Sequence, residues 1–319
     1  MSGEKYLKSP LNYTGNKFRI INQMEPYFPK HVGVFVDLFC GGATVGINVS
    51  ADKVIFVDKN ERVISLLRYL SKANFDKLLK ALIEKTHYYN LSCSYESKYS
   101  VFFNAAKPSN RNNGLKSFNK KGFYKLREDY NAIDNKDSDE ANLLLYLLLV
   151  YGFNNDLRFN SAGEYNLPCG KTDLNKSNVE KIRKFIEKAN SSSFVFVLGD
   201  FKDKKIQKLI MESDFLYADP PYLITDAVYN ESSGWTNKDE EALISFLKVC
   251  KKNGLPFVLS NVLQKNNGGT VNKPLKEFID SDSSLKVINI DYHYRSASYN
   301  KKNRNANEQE IIVVSGGEQ

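Results

Sequence analysis

The sequence predicts an α/β protein with a Rossmann-like open sheet. Short, continuous apolar runs alternate with amphipathic segments in the first and last parts of the chain, as expected for parallel strands buried on both faces. Polar or glycine-rich turns follow these runs, and ligands of such sheets bind beyond the carboxyl ends of the strands. We therefore expect the functional residues directly after the strands. The runs that support the prediction are 34–38, 53–57, 194–198, 215–218 and 256–261, with further strands at 285–291 and 310–314.

Length, charge and cysteine content narrow the class of protein. The 319 residues, 42% of them hydrophobic, suffice for a core domain with a second domain inserted. The net charge of +8 suggests an anionic partner such as nucleic acid, although a diffuse excess that only aids solubility would look the same. The cysteines lack CxxC spacing, the histidines lack ligand spacing, and neither a signal segment nor a membrane span is evident. We expect a cytoplasmic protein that needs no metal.

The first two strands indicate a site for an adenosine-containing ligand. The strand that includes Asp37 leads through Phe39 to Gly41-Gly42, where a backbone without side chains lets a ligand approach closely. The spacing departs from GxGxxG, so it is a poor dinucleotide fingerprint. Asp58 ends the second strand, about 20 residues after the first, where a carboxylate can bind ribose hydroxyls. Asp58 could also cap the helix predicted at 61–70.

The stretch Asp219-Pro220-Pro221-Tyr222 is the strongest candidate for chemistry. It follows the apolar run 215–218, and neither proline can continue a strand because neither has an N–H group. The resulting stiff loop holds a carboxylate, two proline carbonyl groups and an aromatic ring. Acceptors that receive both hydrogens of an amino group conjugated to a base would free its lone pair, and the ring could stack on that base. The alternative is a structural turn that closes a strand.

Two further segments follow the same logic. Asp200 and Phe201 come after the strand at 194–198 and could bracket an adenine ring, one by hydrogen bonding and one by stacking. Near the N-terminus, the turn Thr14-Gly15-Asn16 places Lys17 close to Tyr13. An ordinary loop with a solvated lysine is the alternative for the second segment.

The alternation of strands and helices stops between residues 72 and 170, which we interpret as an inserted domain for target recognition. Its helix at 140–150 is apolar enough to be core, and 151–170 resembles a loop and hairpin. Asn and Arg side chains can contact base edges there, and a basic loop at 292–307 suits phosphate contacts. A lid and a solvated surface loop are the respective alternatives. The candidate DNA-binding residues are Asn154, Asn155, Arg158, Asn160, Arg295, Lys301, Lys302 and Arg304.

Taken in order, three motifs resemble those of the Dam-like (alpha-group, D12-class) DNA adenine-N6 methyltransferases. They are the Tyr13-to-Lys17 motif, the segment from Asp37 to Gly42, and Asp219-Pro-Pro-Tyr222, with an insert between the second and third. The resemblance extends from about residue 9 to about 314. A hairpin pattern also matches, Arg158-x-Asn160-x-x-Gly163-x-x-Asn166-x-Pro168-x-Gly170.

The resemblance implies a fold, a cofactor and a set of roles. It implies a seven-stranded class I methyltransferase sheet, mostly parallel with the last strand antiparallel, formed by 1–71 and 171–319, with 72–170 as an inserted helical target-recognition domain. It implies S-adenosylmethionine as methyl donor, double-stranded DNA as substrate, a flipped target adenine, and a restriction–modification or Dam-like system with a cognate endonuclease as a possible partner. Residues implied for the cofactor are Tyr13 and Lys17 at its methionine part, Asp37, Phe39, Gly41 and Gly42 along its cleft, Asp58 at its ribose, Asp200 and Phe201 at its adenine, and Asp219 at its border. Asp219, Pro220, Pro221 and Tyr222 would hold the target adenine.

The sequence departs from the family at three points. Tyr13 stands where the family often has Trp, and Gly15-Asn16 stands where it often has two glycines. Val150 replaces an arginine that helps close Dam relatives read DNA, so the resemblance does not imply a GATC target.

Three alternatives stay open at this stage. Pro168-Cys169 is a pair of the kind that carries the nucleophile of cytosine-C5 methyltransferases, but it lies in the predicted hairpin, where Cys169 suits packing better. Related Pro-Pro-Tyr motifs serve other planar nitrogens, so an RNA or other N-methyltransferase is a second possibility. The third is a non-catalytic nucleic-acid-binding module, which leaves Asp58 and the Asp219 loop without a purpose.

Overall fold

The computed structural model describes residues 5–11, 13, 15–106, 114–224, 234–265, 269–291 and 308–316. Its contacts divide the chain into two compact units. The helical unit comprises Met1–Asn16 and Asn60–Ser192, and the sheet unit comprises Lys17–Lys59 and Ser193–Gln319. The predicted insert, 72–170, lies within the helical unit, and its boundaries as a recognition domain remain a prediction.

The helical unit consists mainly of α-helices, and its polar sequence predicts only some of them. The helix at 139–151 is buried from Ala141 onward and begins after Ser138, whose hydroxyl accepts a hydrogen bond from the backbone of Ala141. The first helix of the unit begins after Asn60, whose side chain accepts from the backbone of Arg62 and Val63. Asp58 is therefore not its cap, because the second strand still includes that residue. The helices are α2 (Glu61–Lys72), α3 (Phe75–Tyr88), α4 (Tyr99–Ala106), α5 (Lys116–Ala132), α6 (Asp139–Tyr151) and α7 (Lys176–Asn190).

In the part of the sheet unit that the structure describes, there are the strands, four α-helices and short 3-10 turns. Its first helical segment is short, with an α-helical turn at Ile21–Met24 followed by a 3-10 turn at Glu25–Tyr27. The elements are α1 (Ile21–Met24), β1 (Val32–Leu38), β2 (Ala51–Asp58), β3 (Ser193–Leu198), α8 (Lys204–Met211), β4 (Phe215–Ala218), α9 (Asn237–Lys252), β5 (Phe257–Lys265), β6 (Thr270–Val271), α10 (Lys273–Asp280), β7 (Lys286–Asn289) and β8 (Glu308–Ser315).

The sheet confirms the predicted architecture. Among the described residues its strand order is β3-β2-β1-β4-β5-β8-β7, and the short β6 adds to β5. The pairs β1–β2, β1–β4, β2–β3 and β4–β5 are parallel. The last strand, β8, is antiparallel to both of its neighbours. The chain steps outward from β1 to β3 and then returns to the other side of β1, so the strand order reverses between β1 and β4, where open sheets bind their ligands.

The core of the sheet unit lies under α8, α9 and α10. Alternate residues of the central strands, such as Val36, Leu216 and Leu259, point to this face and join apolar side chains of the three helices. The register pairs Leu38 with both Val57 and Ala218, so β1, β2 and β4 end at the same edge. The buried face fixes this register, because a slip by one residue would turn each apolar side chain to the opposite face. Among the described residues, no helix is long and apolar enough to cross a membrane.

Candidate active site

The Asp219 loop lies at the carboxyl edge of the sheet, beside the end of β1. The backbone N–H of Asp219 donates to the carbonyl of Leu38, which continues the pairing of β1 and β4 by one residue. Pro220 then ends the strand, as its missing N–H requires. The geometry thus holds the Asp219 carboxylate at the strand end, where the sequence predicted it.

A lysine and a second carboxylate contact Asp219. Lys17 is only 4% exposed, and its ammonium nitrogen lies 2.9 Å from Oδ1 of Asp219 and 3.6 Å from Oε1 of Glu310 on β8. The same ammonium lies 4.9 Å from the ring centre of Tyr222, within range of a cation–π interaction. Lys17 therefore neutralises part of a buried acidic pair, and this arrangement ties the N-terminal motif to the Asp219 loop.

Tyr222 completes the cluster through its hydroxyl group. The hydroxyl lies 3.1 Å from Oδ1 of Asp219 and 2.9 Å from Oε1 of Glu310. A phenol has a single hydrogen, so it can donate to only one ionised carboxylate at a time. The hydroxyl can therefore hydrogen-bond to both carboxyl groups at once only when one of them is protonated and donates to the hydroxyl oxygen.

The groups around Asp219 act on its pKa in opposite directions. Burial raises the pKa of Asp219 above its ordinary range, the charge and hydrogen bond of Lys17 oppose this rise, and the charge of Glu310 adds to it. A protonated Asp219 would have fewer acceptor positions, because its O–H group donates. The cluster therefore holds an acceptor whose charge depends on its two charged neighbours.

The glycine turn after β1 is fastened by two carboxylates. The backbone N–H of Gly41 donates to Oδ2 of Asp58 at 2.9 Å, which joins the glycine turn to the end of β2. Asp37 is buried, and its Oδ2 accepts from the backbone of Gly46 at 2.8 Å. Burial raises the pKa of Asp37 well above its usual range, and this hydrogen bond partly offsets the rise. Asp37 thus holds the loop in shape, and its predicted place along a cofactor cleft remains a prediction.

A pocket with aromatic walls opens next to Asp58. Its walls include Phe39 and the segment Gly199–Lys202. The ring centres of Phe39, Phe201 and Trp235 lie 5.5 to 5.8 Å apart. Phe39 has a φ of 62°, a left-handed conformation that is strained for a phenylalanine and is typical of functional sites. The structure therefore brings Asp58, Phe39, Asp200 and Phe201, all predicted from separate strands, to one pocket.

Sequence reasoning missed Glu310 and Trp235. Glu310 directly precedes the run Ile311–Val314 in β8, which was a usable signal because a charge in a buried strand needs a partner. Trp235 is the only tryptophan of the chain, but no spacing rule connects it to residues after β1 and β3.

The predicted hairpin exists, and most of its polar side chains bond within it. Residues Phe159 and Tyr165 pair across it. The amide group of Asn160 accepts from the backbone of Ala162 and Glu164. Asn155 donates to the carbonyls of Leu149 and Val150 at the end of α6.

Three of the four candidate DNA contacts in the hairpin are exposed, and one of them, Asn160, uses its side chain to close the turn. Asn154 and Arg158 are exposed, and Nε of Arg158 donates to Asn166. The neighbouring Phe153 is 44% exposed. Their contacts with DNA remain predictions. Arg295, Lys301, Lys302 and Arg304 lie outside the described residues.

Two further residues lie in the helical unit. The carbonyl of Tyr13 accepts a hydrogen bond from the side chain of Asn16, and its role at a cofactor remains a prediction. Cys169 is fully buried, and burial raises the pKa of its thiol to about 12. A thiol in this state is almost entirely protonated near neutral pH, so the structure supports packing for Cys169 rather than nucleophilic attack.

The fold and the site define a Rossmann-like methyltransferase. Residues 13–307 match the family model of D12 class N6 adenine-specific DNA methyltransferases, and the chain belongs to that family. The chain is 33% identical to modification methylase StsI of Streptococcus sanguinis over 98% of this chain. It is 31% identical to type II methyltransferase M.FokI of Planomicrobium okeanokoites over 97% of this chain. It is also 25% identical to the retron Ec67 DNA adenine methylase of Escherichia coli, over 79% of this chain and 76% of that protein.

The chain matches only part of the length of the first two relatives. The chain spans 43% of modification methylase StsI and 43% of M.FokI. The comparison therefore establishes the family of the chain. The activity, the substrate and the partners of the protein are proposed below.

Proposed function

We propose that this protein transfers a methyl group from S-adenosylmethionine to N6 of a flipped adenine in double-stranded DNA. The observation that carries the proposal is the Asp219-Pro220-Pro221-Tyr222 loop at the carboxyl edge of the sheet, next to the turn that Gly41 and Asp58 fasten together. Family membership supports the same reaction class. The proposed enzyme class is a site-specific, adenine-specific DNA methyltransferase.

The residues beside β1 to β3 fit an adenosyl cofactor. Asp58 supplies a carboxylate for ribose hydroxyls, Phe39 and Phe201 supply aromatic faces, and Asp200 supplies an acceptor near them. Lys17 supplies the positive charge that a methionine carboxylate would require. The bound cofactor would supply an electrophilic methyl group on a sulfonium. Among the described residues, no group of three or more His, Cys, Asp or Glu side chains could hold a metal ion.

Asp219 and its neighbours would prepare the target amino group. The lone pair of an aromatic amine is delocalised, so the amine attacks poorly. In the proposed complex the Asp219 carboxylate and a carbonyl of the Pro220-Pro221 pair accept the two N6 hydrogens, while the Tyr222 ring stacks on the base. The N–H bond breaks only after methyl transfer, because the product amine is then positively charged, so no strong base is required.

The rest of the proposal concerns the DNA and the biological setting. The target base must leave the duplex to reach the Asp219 loop. The hairpin of the helical unit would read the DNA through Asn154 and Arg158, and the basic residues at 295–304 would contact phosphates. Two of the most similar proteins are named a modification methylase and a type II methyltransferase. We therefore place the protein in a restriction–modification or Dam-like system of a bacterial or phage-infected cytoplasm, with an endonuclease for the same site as partner.

A methyl-transfer assay tests the proposal. Purified protein with labelled S-adenosylmethionine should label double-stranded DNA, and the label should be recovered as N6-methyladenine. Asp219→Ala should lower the rate by about a thousandfold or more, because one preorganised group that stabilises the transition state commonly contributes that much. The matched control is Asp280→Ala, which removes an exposed carboxylate of α10 that pairs with Lys276 on the surface.

Three outcomes would contradict the proposal. Labelling of RNA alone would favour the RNA N-methyltransferase. Nucleic-acid binding without any binding of S-adenosylmethionine would favour a non-catalytic module. Near-normal turnover by Asp219→Ala would move the chemistry away from the Asp219 loop.

A further inference from the structure

The aromatic pocket has a wall that does not come from the end of a strand. Trp235 directly precedes the cap of α9, where Thr236 and Asp239 exchange hydrogen bonds in a capping box. Its ring is half-buried and lines the same pocket as Asp58 and Phe201. Its ring centre lies 5.6 Å from that of Phe39 and 5.8 Å from that of Phe201. A flat ligand beside Asp58 would therefore meet three aromatic side chains.

A buried carboxylate holds the indole ring in place. Nε1 of Trp235 donates to Oε2 of Glu240 at 2.7 Å. Glu240 is only 1% exposed, and its other oxygen accepts from Nδ2 of Asn261 and Nδ2 of Asn272, both at 2.8 Å. The two asparagines are themselves fixed, because each also accepts a backbone hydrogen bond.

This arrangement requires a glutamate. All three neighbours donate, and a carboxylate offers only acceptors, whereas a glutamine would direct its own N–H groups at the donors around it. A buried carboxylate is costly unless such donors surround it. Its consequence here is an indole whose polar edge is tied inward and whose face is presented to the pocket.

We propose that Trp235 binds the adenine ring of the adenosyl cofactor and that Glu240 is the residue that positions it. This inference rests on the function proposed above. The ligand class is an adenine nucleoside, whose ring has the size and polarisability to stack on an indole and whose ribose reaches Asp58.

The chain provides its own probe for this proposal. Because Trp235 is the only tryptophan, indole fluorescence excited selectively reports on this pocket alone. Addition of S-adenosylhomocysteine, which cannot react, should change the emission in a saturable way. The dissociation constant from fluorescence should agree with the one measured independently by calorimetry.

Four variants separate binding from folding. Trp235→Leu should weaken S-adenosylhomocysteine binding by about tenfold or more in calorimetry, as expected when one stacking partner of a base is removed. Trp235→Phe, which keeps a ring without the N–H group, should lie between Trp235→Leu and the parent protein. Glu240→Gln should weaken binding by about threefold to tenfold. Glu241→Gln, an exposed neighbour on the same helix, should leave binding unchanged.

A structural role alone would give a different pattern. If Glu240 positions the indole, Glu240→Gln should make the indole more accessible to a neutral quencher and its emission less polarised. The circular dichroism spectrum of Glu240→Gln should still match that of Glu241→Gln. If Glu240→Gln does not fold, the two Trp235 variants still decide the question. Unchanged affinity in Trp235→Leu, or cofactor binding that leaves the emission unchanged, would overturn the inference while the proposed function stands. A parent protein that binds neither S-adenosylmethionine nor S-adenosylhomocysteine would overturn both.

Discussion

The carboxylate of Asp219 is shared between an ammonium group and a phenol. Lys17 lies 2.9 Å and the Tyr222 hydroxyl 3.1 Å from the same oxygen, Oδ1. A target amino group must therefore use the other oxygen of Asp219 or displace one of these two groups. Glu310 offers each of them an alternative acceptor. This makes Glu310, which the sequence did not single out, a determinant of how readily Asp219 becomes available.

The first prediction at the scale of residues concerns pH. Burial and the charge of Glu310 both raise the pKa of Asp219, and the proposed reaction uses its ionised form. Activity should therefore fall, as the pH is lowered, at a higher pH than for an ordinary aspartate, whose pKa is about 3.9. Glu310→Gln removes one charge that raises this pKa, so the acidic limb of the kcat/KM profile should move to lower pH.

The control for this prediction is Glu277→Gln, which changes an exposed glutamate of α10. Its acidic limb should coincide with that of the parent protein. A limb that stays in place in Glu310→Gln would mean that another group limits activity at low pH.

The second prediction separates the ring of Tyr222 from its hydroxyl. Tyr222→Phe keeps the stacking face and loses one hydrogen bond to a carboxylate, so kcat/KM should fall by no more than about tenfold. Tyr222→Ala also loses stacking on the base, which contributes on the order of 1–3 kcal/mol, so the loss should be on the order of a hundredfold. Equal losses in the two variants would show that the hydroxyl is the essential part.

The sequence predicted those parts of the site that sit next to strand ends. Asp58, Phe201 and Asp219 each follow an apolar run, so the position of the run fixes the position of the residue. Glu310 and Glu240 could not be placed this way. Glu310 contacts Tyr222 across a sequence separation of 88, and Glu240 looks like an ordinary acidic residue in the first turn of a helix. Such pairings depend on the assembled sheet, which local pattern does not specify.

At the scale of elements, the polar side chains of the hairpin fall into two groups. Asn and Arg were predicted as base readers because their side chains suit base edges. In the structure, Asn160 closes the turn and Asn155 bonds the last carbonyls of α6, so these two amides stabilise the backbone. Asn160 is exposed as well, but its amide is engaged in the turn, so Arg158 and Asn154 remain the candidates for reading DNA.

The third prediction follows from this division. Arg158→Ala and Asn154→Ala should change which DNA words are methylated, or relax the preference, with little effect on thermal stability. Asn160→Ala should instead loosen the hairpin and lower activity on all sequences in proportion. Sequencing of modified DNA from a library of sites measures both effects. Unchanged preference in the first two variants would place recognition elsewhere.

The start of α9 gives the fourth prediction. Burial by itself raises the pKa of Asp239, but hydrogen bonds from Lys202 and Thr236 outweigh it and lower the pKa to about 2. A carboxylate with a lowered pKa stabilises the fold above its unfolded pKa of about 3.9, and that contribution is lost as the pH falls towards 2. Asp239→Asn should therefore have a lower melting temperature near neutral pH and converge with the parent protein in acid. Parallel curves across this range would contradict the assignment.

At the scale of the whole molecule, the net charge of +8 gives the last prediction. If basic side chains contact DNA phosphates, binding releases counterions and weakens steeply with salt. Raising the salt from about 50 mM to about 200 mM should lower the affinity for duplex DNA by at least about tenfold, because even two phosphate contacts give a fall of that size. The affinity for S-adenosylhomocysteine in the same buffers serves as the control and should change far less, because this small ligand has no phosphate backbone with condensed counterions to release. DNA binding that does not respond to salt would show that the positive charge is diffuse and plays no part in substrate capture.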